Sequence, residues 1–153
     1  GANEGKRGDH KGDVAAALAA ARALSASDDA AVAKAAGAAS KEFARRLDRR
    51  LGRCEALLAE GRMVHLEEEL EALEGQLDAD EPLRARYAAV ATAFEENEVE
   101  REAAAALAKV KRTIDKKGPK KSSLRALEKV VKKFPDTKSA ARATHWITLA
   151  SAR

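Results

Sequence analysis

The sequence is poor in the residues that cross-link, interrupt or stack. Its one cysteine, Cys54, excludes an intrachain disulfide and a Cys-x-x-Cys redox pair. Between Leu51 and Leu57-Leu58, that cysteine is expected to be a small buried hydrophobe. Three prolines and nine glycines leave most of the chain free to be helical. Aromatics make up 3% of 153 residues, so any core must come from Leu, Val and Ala between closely approaching helices. Uncharged stretches such as 14–21 and 87–94 fall well short of the roughly 18 apolar residues that span a bilayer. No signal-peptide pattern is visible, and the start Gly1-Ala2-Asn3 without Met is expected of a processed chain.

What is present is alanine, leucine and charge. Charged residues reach 35%, which suits exposed helical faces, and the length is that of one ordinary domain. The net charge of +4 conceals a segregation. Residues 55–108 carry 4 Lys/Arg against 15 Asp/Glu, whereas 109–153 carry 14 against 3. Such polarity is neutralised within the fold, between two copies in a homodimer held by charge complementarity, or by outside partners.

Apolar spacings of three and four place the elements. Residues 1–10 lack periodicity and are expected to form a flexible segment, leaving 11–153 as a single helical-repeat-like domain. A short helix is predicted from Asp13, as its N-cap, to about Leu24, with Ser27 or Asp28 capping the next. That next helix is predicted over about 29–60, an interruption near Gly37 being allowed for. Phe43, Leu47, Leu51, Cys54 and Leu58 share one of its faces, while Arg45, Arg46, Arg49, Arg50 and Arg53 form a solvated surface.

Gly61 is a natural stop, and a third helix is expected to carry Leu66, Leu70, Leu73 and Leu77. Asp80-Glu81-Pro82 opens a fourth, with Tyr87, Val90, Ala91 and Phe94 on its face. Asn97-Glu98-Val99-Glu100 reads as a capping box in which Glu100 reaches back to its own helix start. The helix so begun shows Ala103, Leu107, Val110 and Ile114, and ends at Lys116-Lys117-Gly118-Pro119. Ser122 or Ser123 is expected to cap the helix of Leu124, Leu127, Val131 and Phe134. A last helix holds Ala140, Ala143, Trp146, Ile147 and Ala150. No stretch alternates long enough to be a strand, so the predicted class is all-α.

The run Leu124-x-x-Leu127-x-x-x-Val131-x-x-Phe134-Pro135-Asp136-Thr137-x-x-Ala140-x-x-Ala143-x-x-Trp146 resembles a tetratricopeptide repeat boundary. It is most similar to repeats of bacterial envelope assembly proteins, over residues 121–150. Residues 11–117 show paired helices without the Trp-Leu-Gly-Tyr signature of that repeat. The resemblance implies stacked antiparallel helical hairpins, a protein-binding scaffold and an envelope location. A weaker resemblance, to Ala/Arg/Leu-rich helical extensions of thioredoxin-like proteins, implies an appendage of a larger protein and no redox chemistry.

The patterns of catalysis are missing. His10, His65 and His145 are far apart; Glu68 and Glu69 lie at helical spacing from His65, without a His-Glu-x-x-His motif, so no metal is expected. Gly118-Pro119-Lys120-Lys121-Ser122-Ser123 lacks the earlier glycine and the preceding strand of a phosphate loop. Glu67-Glu68-Glu69 and the cluster from Glu95 to Glu102 are expected to face water rather than act as paired catalytic carboxylates. The expectation is therefore a scaffold with no catalytic residues, metal or cofactor.

The alternative is a nucleic-acid or anionic-surface binder. It would use Lys109, Lys111, Arg112, Lys116, Lys117, Lys120, Lys121, Arg125, Lys129, Lys132, Lys133, Lys138 and Arg142. The aromatics within reach, Phe134 and Trp146, are both expected in the core.

Overall fold

The structure is a computed structural model that describes residues 13–77 and 80–152; the segment 1–10 lies outside them. Among the described residues seven α-helices follow one another: α1 (Asp13–Leu24), α2 (Ala30–Ala59), α3 (Met63–Leu73), α4 (Glu81–Glu96), α5 (Glu98–Lys117), α6 (Lys121–Lys133) and α7 (Lys138–Ser151). No strand occurs among the described residues, and the fold is all-α. None of these helices is long and apolar enough to cross a membrane.

Backbone contacts divide the chain into two compact units, one of residues 1–53 and 69–89, the other of 54–68 and 90–153. In the first, Leu18, Leu47, Leu51, Leu70, Leu73, Leu77 and Leu83 are buried. Ion pairs tie its helices: Arg22 to Asp80 at 3.0 Å, Arg86 to Asp48 at 2.5 Å. The Tyr87 hydroxyl donates to the Leu70 carbonyl at 3.0 Å.

The helices differ from expectation in several places. Asp29, not Ser27 or Asp28, caps α2, its Oδ1 accepting from the amides of Ala31 (2.9 Å) and Val32 (3.2 Å). Helix α2 then runs unbroken through Gly37, because an isolated helical glycine costs only about 1 kcal/mol against alanine. Helix α3 ends at Leu73, where Gly75 at φ +75 turns the chain. Leu77 is still buried, although it is reached by a turn rather than by a helical face.

The second unit is organised by α5, α6 and α7, which pack on one another. Ala103 and Leu107 of α5, Leu127 and Val130 of α6, Phe134 and Ala143 form its core, with Val110, Ile114, Leu124 and Ile147 packed against it. The small Ala103 and Ala104 of α5 and Ala140 and Ala143 of α7 are buried, and Phe134, where α6 gives way to the turn before α7, is buried in the same core.

That turn is held by its own residues. Asp136 takes φ +67, a conformation that aspartate tolerates better than most side chains. Thr137 Oγ1 donates to the Phe134 carbonyl (2.8 Å) and accepts from the Ala140 amide (3.0 Å). At the start of α6 the N-cap is Lys120, and Ser123 lies inside the helix, its hydroxyl accepting from the Lys120 amide at 3.4 Å. The serine thus reaches back from the first turn instead of preceding it.

Candidate functional site

The second unit is built around a buried carboxylate. Glu100, on the first turn of α5, is 6% exposed. It does not reach back to its own helix start, as a capping box would require, and Asn97 makes no side-chain cap either. Instead it accepts from the amides of Lys138 (2.8 Å) and Ser139 (2.9 Å) and from the Ser139 hydroxyl (2.8 Å). Those amides open α7, so the carboxylate satisfies orphan donors and meets the positive end of the helix dipole. An acid expected to face water is thereby the cap of another helix.

The network continues through arginine. Arg142 donates to the Ser139 hydroxyl (3.2 Å) and to the carbonyls of Glu60 (3.2 Å) and Gly61 (2.9 Å), just beyond the end of α2. Gly61 is required here. It stands at φ +64, and a Cβ on it would lie 2.7 Å from Lys138 Cβ and 2.8 Å from Glu100 Oε1.

Beside this network opens a cleft of about 230 Å3. Met63, Ala104 and Leu107 contribute its apolar lining, and Trp146 forms a wall. Arg62, His65, Lys111 and Arg142 are its charged or titratable residues, and among the described residues no carboxylate lines it. They arrive from the entry to α3, from α5 and from α7. Burial lowers the Arg142 pKa, the Arg62 charge adds to this, and Glu100 and Glu60 oppose it. Arg62 pairs with Glu60 at 2.7 Å and Lys111 with Asp115 at 2.6 Å, both acids standing outside the cleft. A cationic hollow with an apolar floor suits an anion that carries an apolar part.

A second, larger cleft of about 630 Å3 lies between the end of α5, the start of α6 and the end of α7. Its apolar lining includes Ile114, Leu124, Leu127, Trp146 and Leu149; Lys111, Lys120 and Lys121 contribute cations and Asp115 an acid. Trp146 packs against the core but is only partly buried and lines both clefts, so it is less enclosed than expected, whereas Phe134 is buried in the core as expected.

The remaining candidates separate. Cys54 is fully buried. His65 and His145 are exposed, and His10 lies outside the described residues. No three His, Cys, Asp or Glu side chains gather as a metal site among the described residues. The α2 arginines converge on two acids: Arg45, Arg46 and Arg49 on Glu42, Arg50 and Arg53 on Glu69. Hydrogen bonds from Arg46 and then Arg45 lower the Glu42 pKa. Of the basic end, Lys111 and Arg142 reach the first cleft, and the other eleven basic residues named above are exposed. Sequence reasoning passed over Arg62, whose only signal is its place after the Gly61 stop.

The chain matches no family model, and comparison with curated proteins and with solved structures finds no match.

Proposed function

We propose that the chain is a non-enzymatic protein–protein interaction scaffold of tetratricopeptide-like type, with stacked antiparallel helical hairpins. Its cationic cleft would take an acidic segment of a protein partner. The observation that carries this is the convergence of Arg62, His65, Lys111 and Arg142 beside the apolar Met63, Ala104 and Leu107, with no carboxylate in the lining among the described residues. Arginine clusters of this sort read acidic motifs, while the apolar floor adds an anchor for an aliphatic side chain. The capped Phe134-Pro135-Asp136-Thr137 turn and the mutual packing of α5, α6 and α7 support the hairpin reading.

Trp146, the single tryptophan, lines the cleft and supplies the signal. A synthetic peptide of Glu and Leu residues should shift its fluorescence saturably. The Arg62→Ala, Lys111→Ala double variant, with unchanged helical circular dichroism, should lose that response. Binding that ignores the double substitution would remove this reading.

The exposed lysines from Lys109 to Lys138 favour a second reading, binding of nucleic acid or an anionic surface. Retention of duplex DNA or anionic vesicles that falls steeply with salt, with no binding of the peptide, would favour it.

A further inference from the structure

Two large aliphatic side chains of the second unit are conspicuously exposed, Val99 at 59% and Leu149 at 55%. Each is surrounded by charge of one predominant sign. Val99 sits at the corner between α4 and α5, where Glu95, Glu96, Glu98 and Glu102 are all exposed. Arg101 lies among them, but its guanidinium is turned over the Phe94 ring at 5.1 Å and donates to the Glu95 carbonyl. Leu149 lines the larger cleft, about 630 Å3, with Lys120 and Lys121. Neither lysine has an ion-pair partner among the described residues.

The corner and the cleft cannot meet within one copy. Both are attached to α5, a single helix of 20 residues. Val99 lies in its first turn, and Lys111, Ile114 and Asp115 line the cleft from its far half. At 1.5 Å per residue, these positions stand roughly 20 Å apart on a rigid rod.

On these grounds we infer that the acidic corner between α4 and α5 of one copy docks in the lysine-rimmed cleft of a second copy. Val99 meets Leu149 and Trp146, while Glu95, Glu96 and Glu98 face Lys120 and Lys121. Opposite charges at the rim set the orientation, and the aliphatic contact between them excludes water. The two clefts share Lys111 and Trp146, but Arg62 and Arg142 line only the first and Lys120, Lys121 and Leu149 only the second, so substitutions there let either reading fail alone.

The test is sedimentation of the whole chain across a concentration series at low and high salt. The weight-average mass should rise with concentration at low salt and less so at high salt. Lys120→Glu with Lys121→Glu, and separately Glu95→Lys with Glu96→Lys and Glu98→Lys, should each give a monomer. Mixing the two variants should restore association, because each then supplies the charge the other lacks. Leu149→Asp should weaken assembly, and Arg62→Ala should leave it unchanged. All these substitutions are at exposed positions, and helical circular dichroism checks that each variant is folded. A wild-type chain that stays monomeric at every concentration overturns the inference. So does association indifferent to both charge reversals, or a mixture that remains monomeric.

Discussion

The carboxylate of Glu100 and the hydroxyl of Ser139, 39 residues apart in sequence, meet at 2.8 Å in the interior of the second unit. Ser139 is fully buried, and its amide donates to the same carboxylate oxygen at 2.9 Å. Removing the acceptor strands these donors and the Lys138 amide. Glu100→Ala should therefore lower stability by about 3 kcal/mol, the range expected when buried polar groups lose a charged partner. Glu100→Gln should also destabilise, because one carboxylate oxygen becomes an NH2 group facing N–H donors. Urea unfolding followed by Trp146 fluorescence measures both.

Gly61 and Gly37 should respond in opposite directions to alanine. At Gly61 the added methyl meets Lys138 and Glu100 in a left-handed backbone, so Gly61→Ala should cost about 2 kcal/mol or more. At Gly37, inside α2, a Cβ meets nothing within 4 Å, and Gly37→Ala should stabilise by about 0.4–1 kcal/mol. Paired thermal melts would show the two shifts.

Phe134 and Trp146 should not be equivalent. Phe134 is 6% exposed and central to the core, so Phe134→Ala should cost about 3–5 kcal/mol. Trp146 faces two clefts as well as the core, and Trp146→Ala should cost distinctly less. Equal losses in denaturant titrations followed by circular dichroism would contradict this placement.

Glu42 carries a prediction in pH. Its folded pKa lies below the ordinary 4.5 because Arg46 and Arg45 bond its charged form. A depressed folded pKa means that the contribution is present above the unfolded value and is lost as pH falls through the folded one. Glu42→Gln should therefore be more destabilising at neutral pH than well below pH 4. The carboxyl resonance of Glu42 in an NMR titration should have its midpoint below 4.5.

Much of the helical architecture was legible in the sequence because its signals are local. Leu47, Leu51 and Cys54 recur at spacings of four and three, and all are buried on one face of α2. Pro82, Gly118 and the Phe134-Pro135-Asp136-Thr137 run stand at or beside helix boundaries because their backbone preferences act wherever they stand. Leu77 shows the limit of such reasoning. Its spacing continued the α3 stripe, but the local preference of Gly75 ended the helix first, and burial was achieved through a turn.

The candidate site was far less legible. Glu100 stood where a capping box would use it, and the same side-chain chemistry, acceptance from orphan amides, was turned to α7 instead. Local spacing cannot distinguish its own helix start from another brought close by packing. Arg142 read as one of many basic residues until Glu60 and Gly61 gave it carbonyls to hold.

By itself, then, the sequence determined that this chain is all-α, where most helices begin and end, and which stripe of each is apolar. Those follow from φ/ψ preferences and side-chain periodicity within about one turn. Only the tertiary structure decided which charges face one another, because hydrogen bonds and clefts depend on distances between residues far apart in the chain. Glu100 became a helix cap and Trp146 a wall between two clefts for that reason.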